Sequence, residues 1–266
     1  MKKYLKVFGI GLQNTFVYRW NFFLRAIFGL FPLIGTIFIW GAIFEAKGSG
    51  IGDFDYASIV FYFLLVLTLD GLITPGEDEW QVAADIREGQ MNAFLVKPMN
   101  YLLYRLSLYV SNRLLYTLVT LPVLIVIFLV FHGYLVWPSS WSTWFLTIVS
   151  VLLAAGLQFL ISYSVAMLAF WMLEISTVVF IIYSFEYFLS GHMFPLTFMP
   201  AWVQGILKFS PFPYELYFPI SIFMGQAKGR ELLDGLAIQA CWVAILYLGA
   251  GALWRGGLRK YQAVGG

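Results

Sequence analysis

Cysteine is almost absent from this chain: Cys241 stands alone among 266 residues. An intramolecular disulfide framework and a cysteine-cluster metal site are therefore excluded. Charge is scarce as well. Lys, Arg, Asp and Glu make up 11% of the residues, less than half of the roughly 25% that a soluble domain carries. Such a chain cannot wet a globular surface, which excludes a soluble enzyme of this size. The net charge is only +2 and the basic residues are scattered, so nucleic acid is not expected as a partner. Disorder is excluded by a hydrophobic share of 61%. What the chain has in plenty is long apolar runs. They predict an all-α polytopic membrane protein, with residues 1–266 forming one transmembrane domain.

No cleavable signal is expected. Lys2, Lys3 and Lys6 are followed by Gln13, Asn14, Arg19, Asn21 and Arg25 instead of a compact apolar core with a small-residue cleavage site. A membrane helix needs about 20 mostly apolar residues, and the pattern gives six: 23–44, 56–73, 106–131, two within 143–189 with a tight turn near Trp171 to Ser176, and 236–254. An even number places both termini on one side. Lys and Arg in the loops split twelve to four in favour of the side carrying the termini, which predicts that both are cytoplasmic. Trp137, Trp141, Trp144 and Trp202 then fall at the outer interface.

Three segments do not read as plain spans. Residues 1–20 alternate in helical register, with Leu5, Phe8, Leu12 and Phe16 on one face and Lys2, Lys6 and Gln13 on another. That pattern predicts a helix lying in the inner interface, in contact with membrane lipid. Residues 77–100 are far longer than a turn between two spans requires, and they mix acids, bases and apolar residues. Two readings stand: an amphipathic helix docking into a groove of a soluble partner, or a solvated loop. Residues 191–226 hold Pro195, Pro200, Pro211, Pro213 and Pro219, too apolar for ordinary loop and too broken to cross the bilayer. They predict two short re-entrant helices, Ala201 to Phe209 and Tyr214 to Phe223, opened by Pro200 and Pro213. A surface loop on the headgroups is the alternative.

Charged and polar residues at membrane depth are expensive and are functional candidates by default. Asp70, near the inner end of the second span, is expected to pair with Arg105 or Arg113. Gln158 must find a partner on another helix. Glu186 faces either the pathway or the interface, and Glu174 is expected to be interfacial. His132 and His192 both fall near the outer surface, and neither H-E-x-x-H nor G-x-S-x-G occurs. An intramembrane enzyme therefore lacks a converging constellation. A non-transporting scaffold or receptor remains open.

Taken in order, three motifs resemble those of the ABC type-2 permeases, in the branch of small six-span subunits without a fused ATPase. The first is Asp85-Ile86-Arg87-Glu88-Gly89-Gln90-Met91, followed by Leu95-Val96-Lys97-Pro98. The second runs from Ser190-Gly191 through Phe194-Pro195 and Pro200-Ala201-Trp202 to Pro211-Phe212. The third is Gly257-Leu258-Arg259-Lys260-Tyr261 with Gly265. The resemblance covers essentially the whole chain. It implies that residues 1–20 are a connecting helix and that Asp85 to Pro98 contain a coupling helix seated in an ATP-binding subunit. It implies too that the short helices after Ser190 close the outer end of the pathway. Two ABC ATP-binding subunits and a second permease, a copy or a paralogue, are the implied partners. No G-x-x-x-x-G-K-[ST] occurs. ATP and Mg are therefore expected on the partner, with no catalytic residue, cofactor or metal on this chain. The resemblance favours export, from the inner membrane of a prokaryote, of an amphipathic or lipid-like substrate.

Overall fold

In the computed structural model, residues 2–48, 50–52, 54–76 and 78–261 are described. Gly265, part of the C-terminal motif, and Glu77, at the start of the long loop, lie outside the described residues. The described chain is helical, with no β-strand among the described residues beyond a single bridge between Ile51 and Phe54. The fold class is as the apolar runs predict. Five helical stretches are long and apolar enough to cross a membrane: Arg19–Lys47, Tyr56–Ile73, Tyr101–Val130, Trp141–Phe170 and Gly229–Lys260.

The sixth expected span is different. It is α9 (Ser176–Leu189), only 14 residues long, or about 21 Å at 1.5 Å per residue. That is roughly two thirds of a 30 Å hydrocarbon core. The rest of the depth falls to the broken segment that follows it.

The first stretch is two helices, α2 (Arg19–Phe28) and α3 (Leu30–Lys47), articulated at Gly29. Before them comes α1 (Lys2–Val17). It runs parallel to the start of α7 (Tyr101–Val130). Lys3 Nζ donates to the Pro98 carbonyl, the Asn100 amide donates to Tyr4 Oη at 3.0 Å, and Gly11 sits against Leu108 and Ser111. The face turned inward holds Tyr4, Val7, Phe8, Gly11 and Thr15, while Leu5 and Phe16 are exposed. The expected single apolar face is thus divided between α7 and the surroundings.

Helix α4 (Tyr56–Ile73) is the hub. Every residue from Ile59 to Val66 is buried, among α3, α7, α8 (Trp141–Met167) and α11 (Tyr217–Phe223). A helix apolar all round belongs in the middle of a bundle. Its start is fixed by a capping box: Asp55 accepts from the Ser58 amide at 2.8 Å, and Ser58 Oγ accepts from the Asp55 amide at 2.9 Å. Asn100 caps α7 by accepting from Leu103 at 3.1 Å. The last helix, α12 (Gly229–Lys260), carries Glu231 in its first turn and Arg259 and Lys260 in its last, matching the helix dipole. It packs along α8. The outward faces of α3, α7, α8, α9 and α12 are apolar, among them Phe38, Val126, Phe145, Phe180 and Leu248. A bundle whose solvent is lipid has this pattern.

Candidate functional site

The loop between α4 and α7 folds as two short helices, α5 (Asp78–Arg87) and α6 (Met91–Leu95), joined at Gly89. Gly89 has φ 75°, a left-handed conformation that only glycine adopts cheaply. Gly89 is therefore the hinge between two helices, and the continuous helix expected there is interrupted at this residue. Ile86 and Met91 are buried in a cluster with Val82, Ala83 and Phe94, packed against the far end of α8. Although expected among the coupling residues, these two anchor the loop from beneath. The outward ridge is Arg87, Glu88 and Gln90, then Leu95, Val96, Lys97 and Pro98. Val96 is 83% exposed.

Polar contacts weld this loop to three other elements. Asp85 accepts from Tyr101 Oη at 2.8 Å and lies 3.9 Å from Arg105 of α7. Arg87 donates to the Leu173 carbonyl in the α8–α9 turn at 3.0 Å. Glu79 is buried and accepts from Ser162 of α8 at 2.9 Å. The C-terminal motif arrives here too. Tyr261 packs edge-on to Phe170, Trp254 stacks on Tyr101 at 5.0 Å, and Gly89 lies close to Tyr261 Oη. Glu174, in the same turn, is exposed. It accepts from the Ser176 amide at 3.0 Å, which holds its carboxyl below the ordinary glutamate value.

The second candidate region is the strap from Ser190 to Leu216, carrying α10 (Ala201–Leu207) and leading into α11. The two short helices exist, but they are unequal. In α11, Phe218, Pro219, Ile220, Ser221 and Ile222 are all buried, whereas α10 turns Trp202 and Ile206 outward. Pro200 caps α10 as expected, while Pro213 sits in a 3-10 turn, Phe212–Tyr214, and α11 begins later, at Tyr217. Phe194, Pro211 and Phe212 are half-buried, Pro195 is buried and Pro200 is exposed.

The base of the strap reaches deep into the bundle. Ser190 and Gly191 are buried. Gly191, at φ 98°, presents its carbonyl to Tyr62 Oη of α4 at 2.6 Å. The Tyr217 amide donates to the Ser190 carbonyl at 2.9 Å, closing the strap on itself. His192 bridges Ser190 Oγ at 2.6 Å and Asp70 Oδ1 at 3.2 Å. The sequence places His192 at the outer surface and Asp70 near the inner end of α4. They meet because α9 is only 14 residues long, so the strap that follows it begins inside the bundle, against α4. Broken backbone at this depth needs protein around it, and Tyr62, Tyr217 and α4 supply it.

Matched against known families, the chain fits the model described as "ABC-2 family transporter protein" over residues 30–265. It belongs to that family. No curated protein matches it. The chain is therefore a membrane permease subunit of an ABC transporter, and its family works with ABC ATP-binding subunits.

Inside this permease, the polar residues singled out in the sequence converge. Gln158, 1% exposed, offers Nε2 to Glu186 and, at 3.1 Å, to Glu215. Glu186 is buried, so interfacial exposure is excluded. Asp70 takes Thr74 and His192 as hydrogen-bond partners, and the Arg113 guanidinium acts on it through its charge. Arg105 pairs with Asp85 and not with Asp70. Asp70 and Arg113 border a cavity of about 1030 Å³ enclosed by α1, α2, α4, α5 and α7, which leaves the Asp70 side chain 44% exposed. Three members were not singled out from the sequence: Glu79, Glu215 and Tyr101. Glu215 carries the same signal that marks Glu186, an isolated acid in an apolar run, but the prolines on either side of it make it read as loop.

Proposed function

We propose that this permease is one half of the membrane pathway of an ATP-driven exporter, working with a second permease, a copy or a paralogue, and two ATP-binding subunits. ATP and Mg sit on those subunits. The ridge Arg87-Glu88-Gly89-Gln90 and Leu95-Val96-Lys97-Pro98 docks on the ATPase, with both termini on the same cytoplasmic side of a prokaryotic inner membrane. The observation that carries this reading is the division of labour within residues 78–98. One face is buried against α8, hydrogen-bonded to α7 and to the α8–α9 turn, while the other is open and mixes charge with apolar surface. A loop held this rigidly moves only if the bundle moves with it. A force applied to the ridge therefore reaches α7, α8 and α9 together, and two such halves exchange inner for outer access.

In the same reading, the strap closes the outer end, with Ser190, Gly191 and Pro195 seated in the bundle and Pro200 and Trp202 at the rim. Phe194, Pro211 and Phe212 line the turn between them. The cargo is amphipathic or lipid-like, in keeping with an interior that is mostly apolar and holds a few small buried polar clusters. The test is co-purification. Val96→Asp places a carboxylate on the most exposed apolar residue of the ridge without touching the buried face. The permease should still fold, lose its ATPase partner in pull-down, and lose ATP-driven transport. Normal pull-down and transport by this variant would remove the ridge from the interface.

A further inference from the structure

Glu186 and Glu215 approach each other in the centre of the bundle. They are 5% and 0% exposed, and a carboxyl oxygen of each lies against the same nitrogen, Gln158 Nε2. One amide group, Gln158 Nε2, serves both. Glu186 Oε2, Glu215 Oε1 and Gln158 Oε1 are buried without any partner. No lysine or arginine bonds to either carboxyl among the described residues. The groups facing Glu186 are Gln158 from α8, Glu215 from the end of the strap, His192 from its beginning and Asp70 from α4. Towards α5 stand Tyr183 and Glu79, joined through Ser162. Glu215 accepts from Gln158 and feels the charge of Glu186.

Two carboxylates cannot both stay ionised at this distance in a medium of low dielectric with one neutral donor between them. Like charges sharing a site are relieved by keeping a proton, as in catalytic carboxyl dyads. A proton placed between Glu186 and Glu215 also supplies the donor that their open oxygens lack. Gln158, Glu186 and Glu215 do not line the cavity at Asp70, and a proton needs no cavity to be shared between two carboxyls. A route for that proton is present. His192 bonds to Ser190, which lies one helical turn past Glu186, and to Asp70 at 3.2 Å, and Asp70 borders the cavity. Chains of Asp, Glu and His inside membrane proteins carry protons in this way.

We propose that Glu186 and Glu215 share one exchangeable proton, reached from the Asp70 cavity through His192, and that this proton latches the base of the strap. Glu186 precedes Ser190 by one turn of helix and Glu215 precedes Tyr217 by two residues. The dyad therefore sits beside the Ser190–Tyr217 hydrogen bond that closes the strap. With the proton in place the two ends attract. Without it two like charges lie beneath the closure, and the ends separate. The site is independent of any ATPase docking and can be examined on the full-length permease in lipid nanodiscs.

Infrared spectroscopy of protein carrying 13C-carboxyl glutamate tests the dyad directly. At neutral pH the wild type shows a protonated-carboxyl C=O band that shifts with the label. The band survives Glu79→Gln and disappears in Glu186→Gln/Glu215→Gln, whose amides mimic protonated acids. If no band shifts with the label in the wild type, the shared proton does not exist, whatever the variants do. The route is read from the rate at which that band responds to D2O. His192→Phe slows it at least tenfold, and an unchanged rate refutes the relay. For the latch, amide exchange at Tyr217 is compared at one alkaline pH. It is at least tenfold faster in the wild type than in the double glutamine variant, and equal rates refute the latch.

Discussion

Gly191 shows how much can rest on one residue. Its φ of 98° is reserved for glycine, and a Cβ there would lie 2.6 Å from Tyr62 Oη and 3.1 Å from Tyr217 Cβ. Gly191→Ala must therefore strain the backbone and displace the tyrosine that binds its own carbonyl. About 1–3 kcal/mol of destabilisation is expected, visible as a lower melting temperature in detergent. Gly205→Ala in α10, where nothing lies within 4 Å of the added carbon, should melt like the wild type. Asp55 carries a second residue-scale expectation. Its hydrogen bonds with the Ser58 side chain and amide hold its carboxyl below the usual aspartate value. A depressed carboxyl stabilises the fold above the unfolded value and loses that contribution as pH falls through the folded one. Asp55→Ala should therefore cost about 1 kcal/mol at neutral pH. The gap from the wild type should close when melting is repeated in acid below the ordinary aspartate range. A gap that persists there would mean that the cap acts through packing and not through charge.

At the scale of elements, the junction of α5 and α6 decides whether the loop works as a lever. Proline fixes φ near −65° and cannot adopt the 75° of Gly89. Gly89→Pro should re-aim α6 while leaving the buried anchors Val82, Ile86 and Met91 in place. ATP hydrolysis stimulated by substrate should then be lost in the assembled transporter, with the far-ultraviolet circular dichroism of the spans unchanged. Stimulation that persists would show that the hinge conformation is irrelevant to coupling. The same elements explain what the sequence could reveal. Apolar runs of 18 to 32 residues report themselves, so all five spans are legible, but their ends are missed by up to seven residues where polar turns extend the helix, as at Gly229 and Lys260 of α12. The bounds of α9 are legible too, since the apolar run ends at Leu189 and the turn before it falls near Trp171 to Ser176. What the composition does not reveal is that a helix of 14 residues is not a full span. The error over His192 follows from this: counted as the end of a full span, it belongs at the surface, yet the short helix leaves it beside Asp70. Gln158 was legible as a residue in need of a partner. The identity of that partner depended on a turn that brings Glu215 back from 57 positions away.

Across the whole molecule, two ends with different chemistry are joined by α4, α7 and α8. At one end are α5, α6, the α8–α9 turn and the end of α12, tied together by Tyr101, Trp254 and Phe170. At the other are the α7–α8 turn with Trp137 stacked on Trp144, and a second cavity of about 760 Å³ between α10, α11 and the start of α12. The two cavities share no lining residue, and neither is lined by Gln158, Glu186 or Glu215. Alternating access through such a body requires its two ends to face opposite solutions, and the proposed orientation, which rests on the twelve-to-four distribution of Lys and Arg, turns the α5–α6 end to the cytoplasm. Two exposed residues mark the ends, Val96 on the ridge and Val136 in the α7–α8 turn. With Cys241 replaced by serine to remove the one native thiol, Val136→Cys in intact cells should react with a membrane-impermeant maleimide. Val96→Cys should react only after the cells are opened. The reverse pattern would turn the molecule over and place the ridge where no ATP-binding subunit can reach it. Labelling of both residues from outside would mean that the chain crosses the membrane an even number of times between them, against the reading of α7 as a single span.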